Sequence, residues 1–280
     1  MKISRRTFLK SVGLITLGSC AGLIGGYQYA RHVEPYDLVI EQIELPFPNI
    51  PPALEGLKIV HLSDIHLHPF IQIDFVQQVV TMANALLPDL VVLTGDYVLH
   101  QAESIFELGP VLASLNARYG VFTILGNHDL WTNRQVVKQG LAEAGLPVLH
   151  NEGMSLAVGQ GRLYLAGVDD GWSGQPDLNA ALARRPSDIF TILLAHEPDL
   201  ADQFAQDGRI SLQLSGHSHG GQVRLPGLGA PVLPFLGKKY DQGLYKVKEM
   251  QLYTTRGIGL TVPIRLNCPP EITELTLAPA

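Results

Sequence analysis

The sequence predicts an α/β fold with a mostly parallel central sheet, on two observations. Short apolar runs that end in polar residues recur along the chain, as in residues 57–64 (LKIVHLSD) and 89–96 (DLVVLTGD). Stretches with apolar residues at helical spacing separate these runs, as in residues 75–87. Runs of this length and β-branched content are typical of buried strands. Strands that alternate with helices form parallel sheets, because each connecting helix covers one face of the sheet.

Each predicted element has its own local signal. The apolar runs predict strands at residues 57–64, 89–96, 119–129, 162–170, 188–198 and 210–214. Apolar residues that recur every three or four positions predict helices at residues 75–87, 105–115 and 133–144. A Pro-rich linker at residues 45–52 (LPFPNIPP) precedes the first predicted strand.

Composition excludes several classes of protein. The chain has 280 residues, 46% of them hydrophobic, which is typical of a globular protein and not of a disordered one. Residues 1–31 contain five basic residues and no acid, which leaves 15 basic against 26 acidic residues in the remainder. An acidic body of this kind is not expected to bind nucleic acid. The only cysteines, Cys20 and Cys268, provide neither a disulfide framework nor a thiolate metal site.

The amino terminus is predicted to be a targeting segment, residues 1–33, outside the folded body. Residues 4–10 (SRRTFLK) resemble a twin-arginine export signal, and residues 11–30 carry no charge. We therefore expect the twin-arginine export machinery as a partner. The expected location is the extracytoplasmic face of the cytoplasmic membrane, the periplasm or the cell surface. An uncleaved membrane anchor and lipidation at Cys20, in the sequence LGSC, stay open as alternatives.

Chemistry-bearing residues stand where the predicted strands end. They are Asp64-x-His66, Gly95-Asp96, Gly126-Asn127-His128-Asp129, His196 and Gly216-His217-Ser218-His219. In α/β folds, ligands gather at the carboxyl ends of the strands, so these groups are expected to meet. In an extended segment residues two apart point the same way, which directs His217 and His219 to one side.

The chain resembles the calcineurin-like metallophosphoesterases in these five motifs, D-x-H, G-D, G-N-H-D, a single H and G-H-x-H. The resemblance covers most of residues 57–280 and is strongest to small bacterial phosphodiesterases with an exported or membrane-anchored amino terminus. It is supported by AHEPD at residues 195–199 and GHSHGGQVRLPGLG at residues 216–229. It implies a four-layer α/β/β/α sandwich with two central sheets, and a catalytic domain over residues 34–280.

The resemblance also implies two divalent metal ions. One would be held by Asp64, His66, Asp96 and His219, and the other by Asp96, Asn127, His196 and His217, so that Asp96 bridges them. Oxygen and imidazole ligands without thiolate suit Mn, Fe, Zn or Co better than Mg. Two such ions about 3.5–4 Å apart can share a hydroxide that attacks a phosphoester.

Two further residues are assigned catalytic roles by the resemblance. His128 faces the substrate as the general acid, and Asp129 is expected to orient its ring. Arg224, Arg256 and Arg265 are candidates either for clamping phosphate or for surface ion pairs.

The implied function is hydrolysis of a phosphodiester or pyrophosphate. Residues 95–100 lack the arginine that the protein phosphatases of this superfamily place after G-D, which disfavours a protein phosphatase. A lipid-linked substrate, such as UDP-2,3-diacylglucosamine in lipid A biosynthesis, is suggested by the branch and by the apolar residues 225–237. Those residues are expected either to form a wall beside the metals or to pack into their own core. A phosphomonoesterase and a catalytically dead binding scaffold are the alternatives.

Overall fold

Two β-sheets packed against each other form the centre of the computed structural model, which describes residues 22–280. The elements, in chain order, are α1 (22–32), β1 (Val39–Phe47), β2 (Lys58–Leu62), α2 (Ile73–Ala85), β3 (Leu90–Leu93), α3 (Ile105–Leu112), β4 (Val121–Thr123), α4 (Asn127–Glu143), β5 (Glu152–Val158), β6 (Gly161–Gly167), α5 (Leu178–Ala181), β7 (Thr191–Leu194), α6 (Ala201–Phe204), β8 (Leu212–Ser215), β9 (Gly243–Val247), β10 (Met250–Thr254) and β11 (Glu271–Pro279).

The order of the strands directs the predicted site to one edge of each sheet. The first sheet runs β1-β11-β2-β3-β4, and the second runs β5-β6-β7-β8-β10-β9. Strands β2, β3 and β4 are mutually parallel, as are β6, β7, β8 and β10, while β11 runs antiparallel to β2. The carboxyl ends of the parallel strands in each sheet therefore lie at a common edge.

Three apolar clusters separate four layers. Alternate residues of one strand point to opposite faces. In β3, Leu90 and Val92 accordingly join the cluster between the two sheets, whereas Val91 and Leu93 pack with α2, α3 and α4. A third cluster covers the outer face of the second sheet with α5 and α6. The four-layer α/β/β/α sandwich is thereby confirmed.

The helix predicted at residues 133–144 begins earlier, at Asn127. Its backbone is interrupted at Asn133, with φ −167° and ψ 99°. There the side chain of Asn133 accepts hydrogen bonds from the backbone N–H groups of Gln135 and Val136 and so caps a second segment. Apolar spacing marked only that second segment, and the first helical turn, with His128 and Asp129, was expected within a strand end.

The predicted twin-arginine motif and Cys20 lie outside the described residues. Helix α1 contacts the body where the backbone N–H of Arg265 donates to the carbonyl of Ala30 at 2.9 Å. The side chains of Leu23, Ile24 and Tyr27 on α1 are exposed. Among residues 22–280 there is no helix with the length and apolar character needed to cross a membrane. The boundary between residues 33 and 34 stays a prediction.

Candidate metal centre

The strand ends of both sheets deliver the predicted ligands to one place. The contributions are Asp64 and His66 after β2, Asp96 after β3, Asn127 after β4, His196 after β7, and His217 and His219 after β8. All of these residues are buried. The site therefore lies where the two sheets converge.

One group consists of Asp64, His66 and His219. Their ligand atoms all lie within 4.8 Å of one another. The Nε2 atoms of His66 and His219 are 3.0 Å apart, and Nε2 of His219 is 3.3 Å from Oδ1 of Asp64. Imidazole nitrogens and a carboxylate that converge in this way can hold one divalent cation.

A second group forms around Asp96. Its Oδ2 atom lies 3.3 Å from Nε2 of His196 and 3.5 Å from Nε2 of His66. Asp64, Asp96 and His196 again place their ligand atoms within 4.8 Å of one another. Asp96 thus lies near one histidine of each group, His66 and His196, a position from which one carboxylate can contact two ions. Asp64 belongs to both groups as well.

The donor atoms of this cluster fit metal ions. Nε2 of His196 and Oδ1 of Asn127 are buried and have no hydrogen-bond partner among residues 22–280. An unsatisfied buried polar atom costs about 1–3 kcal/mol, and coordination would remove this cost. The opposite ring nitrogen of His196, Nδ1, lies 2.6 Å from the carbonyl of Thr94, and Nε2 of His217 lies 2.7 Å from the carbonyl of Phe235. Such bonds fix ligand imidazoles in orientation.

The electrostatics favour a cation. Burial opposes ionisation of Asp64, but the imidazoles of His219, His196 and His66 outweigh it and hold the carboxyl pKa well below its usual value. Burial lowers the pKa of His217 to about 4, so this ring keeps a free lone pair at neutral pH. Burial alone would also lower the pKa of His196, but Asp96 and Asp64 raise it well above its usual value, so this position attracts positive charge.

Backbone strain is concentrated in the same residues. Asp64, His66, Asp96, His217 and His219 have φ between 49° and 69°, in the left-handed region. Each such residue other than glycine costs on the order of 1–3 kcal/mol. The glycines of the motifs are required for a different reason. A Cβ atom at Gly216 would collide with Ser63 and Asp64, and one at Gly126 would collide with Asp96.

His128 lies at the rim of the cluster. It lines the adjacent cavity, and its ring packs at 4.7 Å between centroids against both His66 and Trp131. Its backbone N–H donates to Oδ1 of Asp96 at 2.8 Å. Its Nδ1 atom lies 3.3 Å from the carbonyl of Leu99. One ligand atom each of His66, Asp96 and His128 also lie within 4.8 Å of one another, so the ring adjoins the ligand cluster. Its role as the general acid stays a prediction.

The expectation that Asp129 orients the His128 ring is wrong. The Asp129 carboxylate accepts hydrogen bonds from the backbone N–H groups of Asp96, Tyr97 and Gly126, at 2.9, 2.9 and 3.0 Å. These bonds use both carboxylate oxygens. Because Asp129 lies in the first turn of α4 and points toward the loop after β3, it fixes the backbone of Asp96.

The three arginines considered for phosphate do not line the cavity. Arg224 pairs with Asp241 at 2.6 Å, and Arg256 pairs with Glu271 at 2.9 Å. The fully buried Arg265 donates to backbone carbonyls, among them those of Cys268 and Gly259. All three have structural partners.

A cavity of about 590 Å³ opens beside the cluster. Its apolar wall is formed by Trp131, Trp172, Pro231, Val232, Leu233, Pro234 and Val262. Residues 231–234 of the loop at 225–237 thus form part of the wall. The loop does not pack into its own core, since Leu228 is 82% and Val232 75% exposed.

Sequence reasoning missed the two tryptophans. Trp131 and Trp172 pack edge to face at 4.9 Å, and both line the cavity. They are the only tryptophans in the chain, and Trp131 stands four residues after Asn127. The rarity of tryptophan and the spacing of one helical turn from Asn127 are the sequence features that could have indicated a place beside the site.

Comparison with known proteins agrees with the fold. The family model described as calcineurin-like phosphoesterase matches residues 57–221. Uncharacterized metallophosphoesterase YkuE of Bacillus subtilis is 39% identical over 99% of this chain and 98% of its own. Phosphodiesterase YaeI of Escherichia coli is 33% identical over 98% of this chain and 99% of its own. The solved structure of Haemophilus influenzae NAD nucleotidase (NadN) has a TM-score of 0.51 at 16% identity, over 72% of this chain and 45% of that chain, a likeness of fold alone.

The fold and the donor set together define a metal-dependent hydrolase of phosphoester bonds. The chain belongs to the calcineurin-like phosphoesterase family.

Proposed function

We propose that the protein hydrolyses a phosphodiester or pyrophosphate bond with two divalent ions of Mn, Fe, Zn or Co. The observation that carries this proposal is the buried ligand cluster with Asp96 between its two halves, open to a cavity on one side. The first ion would be held by Asp64, His66, Asp96 and His219, and the second by Asp96, Asn127, His196 and His217. Bound ions would activate water and neutralise the charge of the phosphoryl group.

The protein's own groups have separate tasks in this reaction. His128, at the rim, donates a proton to the leaving oxygen. Asp129 keeps the backbone of Asp96 in place through its hydrogen bonds. The apolar wall excludes water from one side of the phosphate and receives one of its substituents.

A diester is favoured over a monoester by the charge of the cavity. No lysine or arginine lines it among residues 22–280, so a monoester dianion would find only the metals as counter-charges. Each phosphoryl group of a diester, or of a pyrophosphate esterified at both ends, carries a single negative charge, and such a substrate has a second substituent for the apolar wall to bind. The name of the relative YaeI, a phosphodiesterase, supports the same choice.

A lipid-linked substrate and membrane association are supported by the exposed apolar surface. The wall residue Val232 is exposed, and so is Leu228, which precedes the wall residues in the same loop. The side chains of Leu23 and Ile24 on α1 are exposed as well. Helix α1 is held by a hydrogen bond from the backbone N–H of Arg265, and Arg265 follows the wall residue Val262 by three positions in the chain. Contiguous apolar surface beside a polar site is typical of lipid contacts. UDP-2,3-diacylglucosamine is one candidate of this chemistry.

Export by the twin-arginine route is part of the proposal and rests on the motif at residues 4–10. Replacing Arg5→Lys together with Arg6→Lys should retain the protein in the cytoplasm, measured by cell fractionation. Normal export in cells without that pathway would identify a plain anchor instead.

The deciding assay compares bis(p-nitrophenyl) phosphate with p-nitrophenyl phosphate on the metal-loaded protein. We expect a higher kcat/KM for the diester. A clear preference for the monoester would promote the phosphomonoesterase. Full metal content with no turnover of either compound would identify a scaffold.

A further inference from the structure

A second cavity, of about 920 Å³, lies on the other side of the two tryptophans. Its lining is polar, with the amide side chains of Asn151, Gln175, Asn179, Gln203 and Gln206. Side chains of Gln175, Asn179 and Gln203 make no hydrogen bond to another residue within 22–280, and they are exposed. At the base, Asp169 is 5% exposed, and its buried Oδ1 atom lacks a hydrogen-bond partner among the described residues.

The two cavities share one wall. The indole N–H of Trp131, which lines the apolar cavity, donates to Oγ of Ser173, which lines the polar cavity, at 2.6 Å. Trp172 also lines the apolar side. Arg134, three residues after Trp131, reaches the polar side and bonds Asp169 at 3.1 Å. The partition is therefore only one hydrogen-bonded pair of side chains thick.

The wall between the two cavities, formed by Trp131, Trp172 and Ser173, is held in place by hydrogen bonds to the backbone of residues 171–173. The carboxylate of Glu197, next to His196, accepts hydrogen bonds from the backbone N–H groups of Gly171 and Trp172, at 2.8 and 3.3 Å. The backbone N–H of Ser173 donates to Oδ2 of Asp170 at 2.5 Å. These contacts tie the loop that carries Trp172 and Ser173 to the strand end that carries His196. The polar cavity is thus fixed relative to the metal cluster.

The chemistry of the polar cavity selects its ligand. Three aspartates and one arginine line it, so a phosphate or sulfate would meet net repulsion. The single arginine is already paired with Asp169. The ring of His150 also lies against Asp169, with Nδ1 3.5 Å from Oδ1. What remains free are the amide donors and acceptors of Gln175, Asn179 and Gln203. Such groups match the hydroxyls of a neutral sugar, each of which both donates and accepts.

We propose that the polar cavity binds a neutral glycosyl group of the substrate, attached to the phosphate that the metal cluster cleaves. This inference rests on the proposed phosphodiesterase function. Trp131 and Trp172 are 49% and 40% exposed and Ser173 is exposed, so the top of the partition lies at the protein surface. The substrate would cross over this exposed rim, with its apolar arm against the wall at Val232 and its sugar among Asn179 and Gln203.

The test uses two synthetic diesters with one leaving group. One carries p-nitrophenol and the 6-hydroxyl of glucose on its phosphate, and the other carries p-nitrophenol and cyclohexylmethanol. In both, water forms a new P–O bond and p-nitrophenolate leaves with the electron pair of the broken one. We expect the wild-type kcat/KM to be about tenfold higher for the glucose diester, since each satisfied hydrogen bond contributes modestly.

The double variant Asn179→Ala/Gln203→Ala should remove that preference and leave the cyclohexylmethyl diester within about twofold of wild type. A matched control is Gln77→Ala/Gln78→Ala, two exposed amides on α2, which should retain the preference.

Three results would overturn the assignment. Equal kcat/KM for both diesters in the wild type would show that the polar cavity does not bind a glycosyl group of the substrate, while the proposed phosphodiesterase function would stand. Binding of free methyl glucoside, by NMR titration, without any hydroxyl-dependent gain in kcat/KM identifies a separate glycan site. Hydrolysis of neither diester by metal-loaded protein overturns the proposed function, and this inference with it.

Discussion

The metal cluster and the apolar wall lie side by side but are built in opposite ways. The predicted ligands are buried, and several hold left-handed backbone through hydrogen bonds from other loops. Part of the wall comes from a Pro- and Gly-rich loop, in which Val232 is 75% exposed and the neighbouring Phe235 is 55% exposed. Many contacts thus determine the position of the reactive groups, and few determine the shape of the wall. Substitutions in the cluster should therefore affect the reaction itself, and substitutions in the wall should affect which substrate is accepted.

The largest effect is expected for Asp96→Asn. An amide cannot bridge two cations with two anionic oxygens, so metal content should fall toward one ion per chain and turnover should be abolished. Metal analysis and kcat measure the two effects. Full activity at unchanged metal content would contradict the bridging role. Metal loading should also raise the Tm of the wild type, since ions that bind only the folded state stabilise it.

His128→Ala tests whether His128 acts as a general acid or as a metal ligand. We expect both metals to stay bound while kcat falls about 10²–10⁴-fold, the range for a general acid. The loss should be smaller for p-nitrophenolate, which needs little protonation, than for an alkoxide. Loss of metal together with activity would instead make His128 a ligand or a structural support.

Asp129→Asn should act on stability, because the amide N–H₂ would oppose a backbone N–H where the carboxylate accepts. Burial and the neighbouring Asp96 raise the pKa of Asp129 to about 8, so we do not count its hydrogen bonds as bonds to a full charge. A buried backbone N–H left without a partner costs about 1–3 kcal/mol, so we expect a loss of about 2 kcal/mol in the free energy of unfolding. Denaturant unfolding measures it. The matched control is Asp74→Asn, exposed in the first turn of α2, which should change little. Unchanged stability of the Asp129 variant would show that its hydrogen bonds are dispensable.

The smallest effect is expected in the wall. Val232→Ser should weaken the dependence of kcat/KM on acyl-chain length, which at about 0.8 kcal/mol per buried methylene is roughly fourfold per carbon in the wild type. Rates on the shortest diester should not change. Leu244→Ser, an exposed aliphatic position on β9, is the control. If kcat/KM of the wild type does not change with acyl-chain length, the proposal of a lipid-linked substrate is wrong.

The same contrast explains what the sequence could predict. Ligands such as Asp64 and His217 follow apolar runs directly, so strand periodicity places them at one edge without knowledge of the loops. The partner of Asp129 could not be read in this way, because it is the backbone of a loop about 30 residues away in the chain. Arg265 was misjudged for a similar reason, since burial against carbonyls leaves no pattern in sequence. Trp131 and Ser173 meet only because α4 and the loop after β6 are brought together by the fold.

The origin of the ligands has a mechanical consequence. His196, His217 and His219 come from the second sheet, and Asp64, His66, Asp96 and Asn127 come from the first. Any ion shared between them is a cross-link that closes loops of about 70 to 155 residues, at one end of the sandwich only. When that cross-link is absent, the two sheets are held together at this end by their apolar interface and by a few hydrogen bonds, such as the one from the backbone N–H of His217 to Asp64. Amide hydrogen exchange should then quicken first at the strand ends and last at the opposite edge.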